Sequence, residues 1–457
     1  MRVDAVVVGA GTAGANAAYQ LARTGMDVVL VERRAADEGG VRHHNGVLDR
    51  QFVRAGLAPP EPPERVSDAG GVAHLFDASG RRVVTVERNP VAGADMGRLG
   101  RRLRSLASDA GVTTFEHASD ITVEQRGGRI TALDLRAAPP GGEPAPLRLE
   151  AALFVDASGR RGVLRRESPV LDRWCPPVRG DELCSAADHH LTIADTDGAK
   201  RFLDRYGVDP GDKVNVIGLN GGFSTRSISV AEDFAHVSVL VGCLADGAHG
   251  TAPQMMEAVR RDEPWIGEVV TGGTGVIPLR RPYARFTAPG LALVGDAACQ
   301  VFPAHGSGIG VGLIAGRMLA DAVAGASEPG DEAVLWRYQA AFQRELGGTL
   351  AAYDGLRRMS SALGGSGVGR MLRAGLVSEP MTREGLDQVW GSLPLPQLPG
   401  LAARLARQPR LAAVMLPRLA RAQLAHALGG RYPERVDEAA LARWDGRVTR
   451  LVVGRAA

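Results

Sequence analysis

Three short segments, far apart in the chain, each follow an apolar run and each hold residue types that can bind a dinucleotide. The first is Gly9-Ala10-Gly11-Thr12-Ala13-Gly14. Gly9 permits a tight turn after a strand, Gly11 lets the backbone approach a pyrophosphate, and Gly14 lets the next helix pack on the strand. The helix start at Thr12 and Ala13 offers free N–H groups and the positive end of a dipole. Glu32 ends the second apolar run, where a carboxylate can hold both ribose hydroxyls and repel a 2′-phosphate; Arg33 adjoins it. The other two segments are Asp156-Ala157-Ser158-Gly159 and Gly295-Asp296-Ala297-Ala298. Asp296 can accept from ribityl hydroxyls, and Gly295 leaves space for the chain that carries them. Downstream, Pro303-Ala304-His305-Gly306-Ser307-Gly308 opens a further helix at Ile309, whose amides can face a flavin pyrimidine ring and stabilise negative charge on it. One glycine motif alone is a weak signal. The three together, in this order, describe an FAD site.

The surrounding pattern supplies elements able to position these residues. Val3 to Val8 is an apolar run bounded by glycine, as a central parallel strand is. Ala13 to Thr24 has helical spacing closed by Gly25, and Asp27 to Glu32 is a second strand. Gly71 to Arg88 reads as a hairpin around Asp77-Ala78-Ser79-Gly80, and Gly97 to Ala110 as an arginine-rich amphipathic helix. Strands are expected at Thr113 to His117, Ile130 to Arg136 and Leu147 to Asp156. From about Arg166 to Arg285 the runs Lys213 to Leu219, Thr225 to Val230 and Ala235 to Cys243 alternate like antiparallel strands. Leu291 to Val294 re-enters the first domain, and Gly308 to Ala324 is a helix. The remainder is mainly helical, with loops expected at Gly364-Gly365-Ser366-Gly367 and from Pro394 to Pro399. The expected fold is α/β. A Rossmann-like FAD-binding domain occupies residues 1–165 and 286–330, with an antiparallel-sheet substrate domain at 166–285 and a helical region at 331–457.

Asp4 to Glu32, Ala94-Asp95-Met96-Gly97-Arg98, Asp156 to Gly159 and Gly295 to Gly312 resemble the geranylgeranyl reductase-like flavoproteins. That group has the p-hydroxybenzoate hydroxylase-type fold, shared with flavin monooxygenases, halogenases and electron-transfer flavoprotein dehydrogenases. The resemblance covers roughly residues 1–165 and 280–330 and weakens after about 365. It implies that Arg98 contacts the cofactor near its pyrophosphate and ribityl portion, with a solvated helix arginine as the alternative, and that Asp156 buttresses the site. Lipid-reductase members often carry a cysteine–glycine-rich segment about forty residues in. This chain has Gly39-Gly40-Val41-Arg42-His43-His44-Asn45-Gly46 there, without cysteine. The halogenase signs, a tunnel lysine and a WxWxIP segment, are missing.

Composition narrows the rest. The chain of 457 residues is long enough for two or three domains, and a formal net charge of +3 is too small to imply nucleic acid. The cysteines Cys175, Cys184, Cys243 and Cys299 show neither a disulfide framework nor a zinc spacing. Met1 to Val8 already reads as a buried strand, so no signal segment and a cytoplasmic location are expected. Leu401 to Tyr432 carries six arginines among leucines without one acidic residue, broken by Pro409 and Pro417. It reads as a helical lid over a substrate cavity, or as a peripheral membrane contact.

The expected activity is FAD-dependent reduction or dehydrogenation of an apolar substrate, isoprenoid-like or from specialised metabolism, by hydride transfer through flavin N5. Monooxygenation through a flavin hydroperoxide and electron relay to a quinone remain open alternatives. With no second nucleotide motif, NADH or NADPH would dock only transiently. His305, His43 and His44 are the candidates for proton transfer, because histidine titrates near neutral pH.

Overall fold

The computed structural model describes residues 1–391 and 398–454. The expected loop from Pro394 to Pro399 therefore falls mostly outside the described residues. The chain opens with β1 (Arg2–Val8), α1 (Thr12–Ala22) and β2 (Val28–Val31). Every residue of β2 is buried, and so are Val6, Val7 and Val8 of β1, as uninterrupted valine and leucine runs require between two helical layers. Next come β3 (His44–Val47), α2 (Asp49–Arg54) and β4 (Arg65–Ser67), then the hairpin β5 (Ala73–Phe76) and β6 (Arg82–Val86), then β7 (Ala92–Asp95). Helix α3 (Met96–Asp109) is capped by Asp95, whose carboxylate accepts from the Arg98 N–H at 3.0 Å. Three long strands follow: β8 (Thr113–Arg126), β9 (Arg129–Ala138) and β10 (Ala145–Asp156).

The middle of the chain holds α4 (Pro169–Asp172), β11 (Leu183–Ile193), α5 (Thr196–Tyr206), β12 (Lys213–Ile217), β13 (Ser224–Val230), β14 (His236–Leu244), α6 (Ala252–Asp262) and β15 (Ile266–Pro278). The short strands β16 (Thr287–Ala288) and β17 (Leu291–Leu293) then lead to α7 (Ile309–Val323). The rest is helical: α8 (Glu332–Phe342), α9 (Gly348–Arg373), α10 (Glu379–Leu386), α11 (Leu398–Ala406), α12 (Pro409–Gly429) and α13 (Glu438–Val452).

Two large sheets divide the work. The first runs β1-β2-β8-β9-β10-β17-β16, with β1 also pairing β10, so its centre is parallel in the order β8-β2-β1-β10-β17. This is the Rossmann-type arrangement, and the three motifs leave the carboxyl ends of adjacent strands β1, β10 and β17. The second sheet runs β15-β11-β14-β13-β12-β5-β6 and is antiparallel except for the β12–β5 pair. The expected hairpin is present, but it completes this second sheet, so residues 73–86 belong to the substrate side although they precede the insert. Asp77 fixes the hairpin turn, accepting from the Ser79 and Arg81 N–H groups, and binds Arg373 of α9 at 2.5 Å.

One expected break is present and one is absent. The glycine run at 364–367 interrupts α9 with a kink at Gly364, whose torsions are non-helical (φ 65°, ψ 174°), so two helical stretches meet there. These glycines let backbones meet: a methyl added at Gly365 would lie 2.4 Å from the Gly218 carbonyl oxygen. Pro417 sits inside α12 on an exposed position rather than ending it.

Candidate functional site

The three nucleotide motifs meet. A methyl on Gly9 (φ 108°) would fall 2.4 Å from the Ala157 carbonyl oxygen, and one on Gly14 would fall 1.9 Å from the Gly9 carbonyl oxygen and 2.9 Å from the Ala157 methyl. On the other side, the Ala13 methyl lies 3.0 Å from where a side chain would begin at Gly295 or at Gly312. Gly9 and Gly14 are thus filled by protein. Gly11 is not: a methyl there would meet only the Gly40 Cα, at 3.6 Å. No side chain caps α1 or α7, and neither has an acidic residue in its first turn, so their opening N–H groups face the cleft uncompensated.

Two buried carboxylates near this junction behave oppositely. Asp156 is saturated: one oxygen accepts from Ser158 N–H and Oγ, the other from the N–H groups of Leu164 and Arg165 at 2.8 Å each. It folds the loop and has little left for a ligand. Asp296 has no hydrogen-bond donor among the described residues. Burial raises its carboxyl to about 6, with Arg160 pulling the other way. A methyl on Gly308, at the start of α7, would approach Asp296 Oδ1 to 3.3 Å, so carboxylate and helix start share one space. An orphan acceptor facing free amides suits a hydroxyl-bearing chain that ends in a ring with acceptors, and the residues present fit FAD. Asp296→Ala should weaken flavin binding by roughly 1.5–3 kcal/mol, the range for a hydrogen bond to a charged group. Flavin titration into the deflavinated variant would read it, and unchanged affinity would remove Asp296 from the site.

At the other end, Glu32 is buried and accepts from the Ala10 N–H at 2.8 Å and the Arg34 N–H at 3.3 Å, which sets its carboxylate against the glycine loop. Arg33 is exposed. Arg98 is exposed too and pairs with Asp95 at 3.4 Å. The arginine that reaches the glycine loop is Arg104, which donates to the carbonyls of Ala10 and Gly39 at 3.4 Å, and burial lowers its pKa. Its signal in the sequence is Gly100, one turn earlier, over which the Arg104 guanidinium folds at 2.9 Å from a would-be methyl.

The candidate histidines fall into two groups with no contact between them among the described residues. His305 stacks on Phe302 (ring centroids 4.8 Å apart) and shares its Nε2 with the Gly385 carbonyl at 3.3 Å. Its side chain is exposed, and the protein atoms packed around its ring lower its pKa to about 4, so it is neutral at pH 7. His44 Nδ1 lies 3.0 Å from His190 Nε2, whose Nδ1 reaches the Ser238 hydroxyl at 3.1 Å. His43 stands beside β15, where a methyl on Gly273 would be 2.6 Å from its Nδ1. Burial, first of all, lowers the pKa of both His43 and His44.

The second sheet closes the space above these loops. Ala187, Leu191, Val237, Val239 and Val241 turn to Met255, Met256 and Val259 of α6, so by strand alternation Ala186, Asp188, His190, Leu240 and Gly242 face the opposite way. That face covers the loops: Gly273 meets His43, and Ile277 is 3.5 Å from a methyl added at Gly306. The two contacts are about 13 Å apart along β15. Between them Gly275 has nothing within 4 Å of an added methyl, and Gly275 and Leu240 are both exposed, so an open space lies beneath this part of the sheet. Asp188, paired in register with Gly273, looks into it. Burial raises its carboxyl to about 7, against the pull of Lys213. Neither Asp188 nor Lys213 stood out in the sequence, because the sheet register that brings them to one face joins strands far apart in the chain.

Comparison with known proteins agrees with this geometry. Residues 4–67 match the model of the FAD dependent oxidoreductase family. A digeranylgeranylglycerophospholipid reductase of Methanothrix thermoacetophila is 30% identical over 392 residues, covering 82% of this chain and 91% of the relative. The chain belongs to the digeranylgeranylglycerophospholipid reductase family. It is an FAD-dependent oxidoreductase. A second reductase of that name, from Methanopyrus kandleri, is 24% identical over 358 residues, 76% of this chain and 84% of the relative. Among solved structures, a geranylgeranyl bacteriochlorophyll reductase-like protein from Thermoplasma acidophilum superposes with a TM-score of 0.70 at 16% identity, over 90% of this chain and 99% of that one. A flavin-dependent brominase shares the fold with a TM-score of 0.61 at 14% identity, over 85% of this chain and 94% of that one. No helix among the described residues is long and apolar enough to cross a membrane.

Proposed function

We propose that this enzyme saturates carbon–carbon double bonds of an isoprenoid lipid. The observation that carries the reading is the open face of the sheet between β11–β15 and the two loops that frame the flavin end. Ala186, Leu240, Gly242, Gly273, Gly275 and Ile277 make most of that face apolar, and one unpaired carboxyl, Asp188, looks out from it beside His190. The names of the curated relatives support the same substrate class. Bound FAD supplies the hydride. The chain supplies the remainder: Gly11, Asp296 and the starts of α1 and α7 hold the cofactor, and that face covers an apolar substrate. Asp188 holds the proton that the second carbon of the double bond receives. The histidines are weaker donors here, since the protein packed around them keeps His43, His44 and His305 neutral at pH 7. The flavin would need a two-electron donor after each turnover, and with no second nucleotide motif in the chain a transiently docked NADH or NADPH would supply it. The exposed face of α12, with Leu416 and Leu424 near Arg410, gives the enzyme a peripheral hold on the membrane that carries its substrate.

Anaerobic turnover of a geranylgeranyl lipid tests the reading, with dithionite as reductant and mass gain of two per double bond as readout. Product formed only with oxygen uptake would overturn it in favour of monooxygenation. Asp188→Asn should lower turnover by about 10²-fold, the usual contribution of a positioned acid. The acid form is the active one, so wild-type activity is expected to hold below about pH 7 and fall above it, and this limb should vanish in the variant. A variant with an unaltered pH profile would eliminate Asp188 as donor.

A further inference from the structure

A cavity of about 260 Å³ opens between the start of β11, the middle of α9 and α12, and four guanidinium groups line it: Arg357, Arg358, Arg418 and Arg421. Their charges are not equally matched. Arg357 and Arg358 donate to Asp354 Oδ1 at 3.1 and 2.9 Å, and Arg358 also reaches Glu182 at 2.6 Å, which Arg280 approaches at 3.5 Å. Asp181 stands 3.8 Å from Arg358. Three carboxylates therefore answer three inner arginines. Arg418 and Arg421, on α12, have no carboxylate within salt-bridge distance among the described residues. The one protein acceptor of Arg418 is the Val414 carbonyl at 3.1 Å, a turn back on its own helix. Arg357, with a side chain 1% exposed, is tied down on the inner wall, donating to the Asp181 carbonyl at 2.9 Å as well as to Asp354. Two unanswered charges on one wall of a cavity call for an anionic acceptor with oxygens on several sides.

We infer that this cavity binds a phosphate ester, the anionic end of the lipid substrate. Guanidinium forks arriving from two helices match the several oxygens of a phosphate better than the two coplanar oxygens of a carboxylate. The location fits one molecule spanning both sites. Leu244 lines the cavity and also belongs to a small apolar cluster with Cys184, Leu279 and Ile277, and Ile277 is the residue against Gly306. A charged head in the arginine cavity would thus leave its hydrocarbon entering the flavin cleft past aliphatic side chains. This placement rests on the proposed lipid reduction; the anion site itself does not.

The test uses the FAD-loaded enzyme and Arg418→Gln/Arg421→Gln, both positions being at or near the surface of α12, with flavin content and melting temperature to verify folding. Calorimetric titration with inorganic phosphate should show saturable binding that weakens at least about tenfold in the double variant. The ratio of kcat/KM for a geranylgeranyl phospholipid to that for its phosphate-free alcohol should fall by at least about tenfold as well. Absence of phosphate binding to the wild type, or equal binding to the variant, would overturn the anion site whether or not any lipid turns over. Phosphate binding lost in the variant with an unmoved kcat/KM ratio would assign the cavity to free phosphate and overturn its role as a headgroup site. Failure of all lipid turnover with phosphate binding as expected would count against the reductase reading alone.

Discussion

Gly11→Val is expected to purify as a folded but colourless protein. The three glycines of the first motif are held to glycine by different neighbours, and only one neighbour is the cofactor. Gly9 and Gly14 are closed off by protein backbone at 2.4 and 1.9 Å, so any side chain there forces α1 away from β1 and β10. Gly11 has ordinary torsions (φ −65°, ψ 176°), and a methyl would touch only Gly40 at contact distance. A larger side chain at Gly11 therefore displaces the pyrophosphate, and presses the 39–46 segment second. Visible flavin absorbance and circular dichroism on the same preparation decide the matter. Gly14→Ala is the contrasting control and should lower yield and melting temperature. Full flavin occupancy in Gly11→Val would remove the first motif from the cofactor site.

Asp354→Ala should destabilise the fold by about 3–5 kcal/mol, the cost of removing one partner from a buried ion pair. Asp354 is 1% exposed and accepts from the Arg281 N–H at 3.0 Å as well as from Arg357 and Arg358. Without it the almost fully buried Arg357 loses its counter-charge. Burial alone would raise the Asp354 carboxyl, but Arg358, Arg357 and the Arg281 amide outweigh it and hold it below the usual range. A carboxyl depressed in the folded state contributes stability above its unfolded pKa of about 4 and loses that contribution as pH falls through the folded value. In urea melts the gap between wild type and variant should therefore be smaller at pH 3 than at pH 7. An equal gap at both pH values would mean that Asp354 acts through packing rather than charge.

These two residues also mark what a linear reading can reach. The cofactor motifs are local: strand, glycine turn and helix start lie within about ten residues, so their geometry is written in consecutive positions. The same holds for the β5–β6 hairpin and the amphipathic face of α3. What was illegible depends on partners far away. His44 meets His190 across 146 residues, and Asp77 meets Arg373 across 296. Arg98 belongs to the segment that carries the family resemblance, whereas Arg104, outside it, reaches the glycine loop because Gly100 clears its path. The glycines at 364–367 read as a break because glycine lowers helix propensity, and the chain does leave helical torsions at Gly364 before the helix resumes. The same glycines permit backbone-to-backbone packing against Gly218 and Gly222, which no linear pattern shows.

Gly275 has a consequence for how such an enzyme can diversify. Its backbone is that of an ordinary strand residue, an added side chain meets nothing within 4 Å, and the neighbouring Ile277 already lies against the Gly306 loop. Under the proposed isoprenoid reduction, position 275 would gauge chain length at no cost to the fold. Gly275→Leu should leave melting temperature and flavin content unaltered while favouring short prenyl chains over long ones. A chain-length series assayed on both proteins would reveal the change in preference, and identical profiles would show that the prenyl group runs elsewhere. On that reading a single codon change at this position would retune which isoprenoids a descendant accepts, without revisiting its cofactor chemistry.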